Sequence, residues 1–407
     1  MMKNIVILTL LALFILPACD KTSNNIKPEE EKPNPFKAAI VEQNNNFSLE
    51  IFKEITGNEE SNTNIFISPL SMYYALSMAA TGSATETKQE FVNLLGWQDK
   101  TDEEVLSAIK ELSQDLTPSN ANVILKIANS LWQRQGAPIK QSYKDQTQEY
   151  FDAEVRELDF NSPEAVEVIN SWIEVKTNDL IQDMLDQISP DAIMYLINAI
   201  YYKADWKYKF DEEDSFEGNF MNANNQEVNA TFMTQKTNLD YLSNDLFTSV
   251  KLPYIDSNFY MTILLPKDNF STNDILDQMN SSNWSQWQSE YQLNEVTVTL
   301  PRFKYEFGVR NINAELQAMG LVKAFSRTEA DFSLISNEQI YISRVLHKAY
   351  IEVNEEGSEA AAATIIEIIY TSIGEDIIFN ANKAFVFTIC HKPTNSILFM
   401  GKLSEPQ

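Results

Sequence analysis

Only two cysteines and two histidines occur in the 407 residues. Neither a cysteine cluster nor a His-Glu-x-x-His spacing is present. The chain therefore lacks the usual ligand sets for structural or catalytic zinc. No Gly-x-Ser-x-Gly elbow, Walker loop or Gly-x-Gly-x-x-Gly fingerprint occurs either, so the phosphate-cradling and nucleophile-elbow chemistries have no foothold. A Ser-His-Asp hydrolase would have to use His347 or His391, and His391 falls in the late turn His391-Lys392-Pro393-Thr394. An enzyme is not expected, nor is a cofactor. Positive charge is also scarce. There are 31 Lys and Arg against 58 Asp and Glu, a net charge of −27. A surface of that sign repels phosphate backbones, which excludes nucleic acid as a partner.

Hydrophobic residues are plentiful at 44%, enough for a sizeable core and too many for a disordered chain. Ile5 to Leu16 forms a run of twelve residues without charge. That is short for a membrane span but right for a signal-peptide core. Leu16-Pro17-Ala18-Cys19 then resembles a bacterial lipobox, which implies a signal peptide over 1–18 and acylation of the Cys19 thiol. The alternative is an ordinary secretory signal with a chance cysteine. Residues 19–36 carry three prolines and many charges and read as a flexible tether. The expected protein is exported and anchored through lipid on Cys19 in a bacterial cell envelope. The sequence leaves open which membrane and leaflet hold it, the cell surface included. Cys390 is then alone in an apolar run, where packing is its expected role, and no structural disulfide is expected.

The folded domain is expected from residue 37 to the end. Phe47, Ile51, Phe52 and Ile55 follow helical spacing. Ser68 reads as an N-cap, Pro69 as a first helical residue, and Gly82 as a stop. Helices are also expected over Thr85–Leu95, Asp102–Leu116, Tyr143–Tyr150, from Ser162-Pro163 to about Leu180, and over Asn311–Met319. Strands are expected over Val123–Trp132, Ser249–Pro253, Phe259–Pro266 and Val296–Phe303. Ile193 to Tyr202 reads as a strand covered on both faces; its Asn198 needs partners once buried. Arg344 to Val353 alternates and points His347 inward.

The stretch Glu355 to Phe379 organises the rest. Ser358 to Tyr370 holds no proline or glycine, and its second half is strongly β-prone. Read as a strand, Glu359 and Glu367 share one face. Ser358, Ala360, Ala362, Thr364, Ile366, Ile368 and Tyr370 form an uncharged other face. Gly357 precedes it, where a hinge would use a residue of wide dihedral freedom. From pattern alone a permanent helix over Ala360–Ala363 or a permanent strand remains open.

Glu355-Glu356-Gly357-Ser358-Glu359-Ala360-Ala361-Ala362-Ala363-Thr364 resembles the reactive-loop hinge of the serpins, the serine protease inhibitor family. Phe379-Asn380, Ala384-Phe385-Val386-Phe387 and Ile397-Leu398-Phe399-Met400-Gly401-Lys402 resemble that family's last strands. Ala384 departs from the usual proline. Asn64 to Ser71 resembles the start of its second helix, and Leu196 to Trp206 its central strand. The resemblance runs from about residue 37 to the end. It implies a mixed α/β fold with three sheets, about nine helices and an exposed reactive loop near 355–376. It also implies a monomer that acts as a suicide inhibitor of proteases.

The matching positions imply a scissile bond at Thr371–Ser372, with Tyr370 as the alternative register. They imply a polar cluster of Ser68, Ser71, Asn198 and His347 under the sheet, and Trp206 where insertion begins. A small Thr371 suits an elastase-like serine protease, and Tyr370 a chymotrypsin-like one. No Lys or Arg lies between Glu355 and Asn382 to suit a trypsin-like pocket. Cysteine proteases remain open as targets, and a non-inhibitory serpin is the alternative class. The acidity argues against the heparin-type site of some serpins.

Overall fold

The computed structural model describes residues 34–118, 120, 122–358 and 377–406. Residues from 34 onward form one compact unit. Nine α-helices occur among the described residues: α1 (Lys37–Gly57), α2 (Pro69–Thr81), α3 (Thr85–Leu95), α4 (Asp102–Asp115), α5 (Gln141–Phe151), α6 (Ala165–Lys176), α7 (Thr272–Gln278), α8 (Ser281–Glu290) and α9 (Asn313–Ala318). The strands, in chain order, are β1 (Ile65–Ile67), β2 (Val123–Arg134), β3 (Glu154–Leu158), β4 (Met194–Asp205), β5 (Phe216–Met221), β6 (Glu227–Ser243), β7 (Phe247–Pro253), β8 (Phe259–Pro266), β9 (Gln292–Pro301), β10 (Phe303–Asn311), β11 (Leu346–Val353), β12 (Gly357–Ser358), β13 (Ile377–Asn380), β14 (Phe385–His391) and β15 (Ser396–Leu403).

Two hydrogen-bonded networks hold these strands. One has six strands in the order β10-β11-β12-β4-β2-β3. The other runs β1-β15-β14-β8-β7-β6-β9-β13, with β5 also on β6. Three sheets were expected; two merge because the long β6 belongs to both. Its Asp240–Ser243 end pairs with β7, while Phe232 to Tyr241 pair with β9.

Local rules explain most boundaries. Ser68 is extended at φ −110°, and its hydroxyl accepts the Ser71 N–H at 3.3 Å. Pro69 then starts α2 without needing a backbone donor. The Gly82 φ is −93°, so this stop is not left-handed. A Cβ there would lie 2.1 Å from the Ile335 side chain, so packing fixes the glycine. The helix expected from Ser162-Pro163 starts later, at Ala165, and ends at Lys176 rather than near Leu180. Asn178 and Asp179 have φ of 56° and 64°, which breaks it. The strand expected over Val296–Phe303 is two strands: β9 stops at Pro301 and Phe303 opens β10.

β4 has apolar cover on both faces. Ala199 packs with Trp132, Trp172 and Ile173, and Ile200 with the main core. α1 begins at Lys37, but the Asn34 N–H already donates to Glu111 Oε2 at 3.2 Å. Phe36 also packs against the core. Residues 1–33, including the expected signal peptide and Cys19, lie outside the described residues.

Candidate functional site

β4 and β11 are sheet neighbours only through β12, which is two residues long. Gly357 and Ser358 pair antiparallel with Asp205 and Ala204, and Ser358 with Val353. Beyond Ser358 no backbone pairing joins β4 to β11 among the described residues. A crevice follows the line between them. Ile200, Tyr202, Ala349 and Ile351 line its upper part, and Asn198 and His347 its lower part. Gly357 meets a steric demand besides the dihedral freedom expected of a hinge. A Cβ at Gly357 would lie 2.1 Å from the Ala204 carbonyl oxygen and 2.7 Å from Asp205 Cα.

A polar clasp holds residues 354–358 at the top of this gap. The Glu355 carboxylate is 4% exposed. It accepts from Arg302 Nε at 2.7 Å and from the Ser215 hydroxyl. Burial alone pushes the Glu355 carboxyl up; the Arg302 and Ser215 hydrogen bonds outweigh this and hold it below the usual range. Lys209 bonds Glu356 and also approaches Asp205 at 3.2 Å. The Trp206 N–H donates to the Glu356 carbonyl at 2.8 Å, and its indole to the Asn354 carbonyl at 2.9 Å. The Trp206 ring stacks on Tyr254 with centroids 4.6 Å apart. The Tyr254 and Ser358 hydroxyls bond at 2.7 Å, so Ser358 faces the core.

A second polar group lies lower, where α2 meets β4 and β11. The Ser68 N–H donates to His347 Nε2 at 3.2 Å, and its hydroxyl to the Leu398 carbonyl at 2.9 Å. The Ser71 hydroxyl donates to Asn198 Oδ1. Asn198 Nδ2 donates to Asn129 Oδ1 at 2.6 Å, and Asn129 Nδ2 to the Phe151 carbonyl at 2.6 Å. A backbone N–H can only donate, so His347 accepts at Nε2 and is neutral. These bonds tie α2 to both strands that flank the gap.

The family description Serpin (serine protease inhibitor) matches residues 42–406. The chain belongs to the serpin family. An uncharacterized serpin-like protein of Methanosarcina acetivorans is 33% identical, over 90% of this chain and 88% of its own length. Human Serpin B11 is also 33% identical, over 88% of this chain and 97% of its own. Among solved structures, the thermophilic serpin tengpin in the native state superposes with a TM-score of 0.82. It is 28% identical, covering 90% of this chain and 94% of its own. Human thyroxine-binding globulin complexed with thyroxine gives 0.83 at 26% identity, covering 91% and 99%. Serpins are generally protease inhibitors rather than catalysts.

The structure of this serpin brings Ser68, Ser71, Asn198 and His347 together and sets Trp206 beside the hinge. Of the expected hinge, Glu355 to Ser358 are described. Glu359, Ala360, Ala361, Ala362, Ala363 and Thr364 lie outside the described residues, as do Tyr370, Thr371 and Ser372. Sequence reasoning missed Asn129, Arg302, Ser215, Lys209 and Tyr254. Each is brought in by long-range pairing and carries no local signal. Cys390 is buried with a thiol pushed up to about 11 by that burial, which suits packing and not nucleophilic chemistry.

Burial pushes His347 down to about 3. Its neutral form is thus favoured in the fold, while the unfolded chain binds a proton from about pH 6.5 downward. The stability involved is fully present above pH 6.5 and drains away as pH falls toward 3. The slope is at most about 1.4 kcal/mol per pH unit. His391, lowered to about 4 by burial, acts in the same direction. Melting temperature measured from pH 7 to pH 4 should fall, and less steeply in His347→Gln. Equal slopes in the two chains would remove His347 from the account.

Proposed function

We propose that this serpin is inhibitory and traps serine proteases, elastase-like enzymes first and chymotrypsin-like second. The observation that carries the reading is the two-residue β12, seated in register between β4 and β11. Extended in the same register, an added strand would set Ala362 between Ile200 and Ala349. Thr364 would fall between Asn198 and His347, within bonding reach of the lower polar group. Ile366 would lie beside Leu196. Small alanines would lie in the upper part of the gap and isoleucines in the lower part, while Glu359 and Glu367 stay on the opposite face.

In the proposed sequence a protease serine attacks the Thr371 carbonyl and becomes acylated on Thr371. The amine of Ser372 leaves. The freed segment then enters the gap as a strand and draws the acylated protease with it, distorting its active site before water completes hydrolysis. Small hinge residues serve that race. The test is incubation with elastase, chymotrypsin, trypsin and a cysteine protease, reading complexes that survive SDS. The carboxyl-terminal fragment, sequenced after denaturation, is expected to start at Ser372. A start at Thr371 would move the cut to Tyr370, and rapid stoichiometric inhibition of trypsin would overturn the specificity.

We further infer a lipid anchor at Cys19, supported by the apolar run Ile5–Leu16 ahead of Leu-Pro-Ala-Cys. Cys19→Ala should leave the chain unprocessed or free of lipid. A soluble wild-type chain whose mature terminus lies elsewhere, read by mass spectrometry, would refute this.

A further inference from the structure

The turn between β7 and β8, residues 254–258, sits against the end of β4. Its Ile255 N–H donates to the Asp205 carbonyl at 2.9 Å, and the Lys207 N–H to the Pro253 carbonyl at 2.9 Å. Tyr254, at the start of the turn, stacks on Trp206 and bonds Ser358. The position of the turn is therefore passed on to β12.

Two polar atoms at this junction are buried and bonded to nothing among the described residues: Asp256 Oδ2 and the Tyr202 hydroxyl. Asp256 Oδ1 is occupied, taking the Asn258 N–H at 3.0 Å. The Tyr202 ring lies 5.2 Å from Tyr254 and 5.7 Å from Phe259, beside both ends of the turn. Burial, and then the charges of Tyr254 and Asp256, push the Tyr202 hydroxyl well above its usual range. Other titratable groups face the turn, but no cation bonds Asp256 Oδ2. Lys209 is engaged with Asp205 at 3.2 Å and with Glu356. Lys207 and Lys392 meet the turn through their backbone N–H groups. His391 and Cys390 of β14 are kept uncharged by burial, His391 above about pH 4. Burial pushes the Asp256 carboxyl above the usual aspartate range, against the pull of the Asn258 and Phe259 N–H groups.

We propose that Asp256 and Tyr202 form an acid-operated tie between this turn and β4. Ionised, Asp256 is a buried charge without a cation, and its hydration draws the turn outward. Neutral, its Oδ2 carries a proton taken from water and donates it to the Tyr202 oxygen. The turn then settles on β4, and Ser358 is held more firmly. The sign is opposite to that of His347. A raised carboxyl contributes stability that is full below about pH 3.9 and is lost as pH rises through its folded value. The tie stands whether or not the gap admits a strand.

The experiment is hydrogen exchange over 254–259 in the full chain. Asp256→Asn keeps the oxygen that takes the Asn258 N–H and sets a permanent N–H donor in place of Oδ2. At pH 7 it should slow exchange by about five-fold, the worth of one neutral hydrogen bond. The gain should vanish in Asp256→Asn/Tyr202→Phe. The wild-type chain, corrected for the intrinsic pH dependence of exchange, should gain the same protection as pH falls through the Asp256 titration. The fluorescence component lost in Trp206→Phe should shift with the same midpoint. Asp268→Asn, at an exposed carboxylate past the other end of β8, should change nothing. Equal gains with and without the Tyr202 hydroxyl would reflect relief of a buried charge alone and overturn the tie. No gain from Asp256→Asn overturns it as well, and a wild-type chain without acid protection overturns its operation by protons. A Trp206 signal that stays constant while exchange changes removes the link to β12.

Discussion

Ser358→Arg is expected to abolish covalent trapping while cleavage of the loop continues. Ser358 is 3% exposed and bonded to the Tyr254 hydroxyl in the native fold. Among the described residues no carboxylate is bonded to either hydroxyl, so a guanidinium there would be buried without a partner. Such a charge costs several kcal/mol even after relaxation. Each 1.4 kcal/mol is ten-fold in rate, so entry should slow by about a hundred-fold or more against hydrolysis. The protease would then complete its reaction and leave. Trp206, stacked on Tyr254, gives an independent signal, since expulsion of β12 should alter its fluorescence. The measurement is moles of inhibitor consumed per mole of protease, with complexes counted on SDS gels. Trapping at the wild-type ratio would show that residue 358 does not enter facing the core.

Loop cleavage in the wild-type chain should raise the melting temperature by more than about 10 °C. Filling the gap gives the Ile366 and Ile368 side chains a buried face, worth about 2 kcal/mol each. Backbone hydrogen bonds then form on both sides of the new strand, each worth about 1 kcal/mol net. A non-inhibitory serpin, whose loop stays out, should show little change. Calorimetry before and after a single cut in the loop decides between the two. An unchanged transition would leave the fold intact and remove the inhibitory mechanism.

The parts of the fold that were legible share one property: each depends on neighbours close in sequence. Ser68-Pro69 announces α2 because cap and first turn are adjacent. β11 was readable because His347, Ala349, Ile351 and Val353 alternate without interruption. β6 was not, since its ends pair with different strands and its burial follows no single period. α8 was not readable at all, because its two buried tryptophans, Trp284 and Trp287, are the only apolar residues in a segment otherwise of Ser, Asn, Gln and Glu. Four of the five side chains in the lower polar group, Ser68, Ser71, Asn198 and His347, were visible by family resemblance. Asn129 was not, because only the register opposite Asn198 turns its amide into that group. The steric demand at Gly357 was not legible, as the closeness of Ala204 is invisible until β4 and β12 are side by side.

The chain resumes after the loop as three strands of the nine-stranded network. β14 and β15 are buried along their whole length, and β15 lies between β1 and β14. A cut at the loop therefore severs the polypeptide without dividing the particle. The two pieces share one core and part only when that core unfolds. The break is silent in any assay of size under native conditions. In the chain proposed above to carry lipid on Cys19, the acylated protease would be joined by covalent bonds to the piece that holds that lipid. On that proposal the spent inhibitor would keep its captive at the membrane instead of shedding it, and clearing the pair would require degradation of the whole assembly.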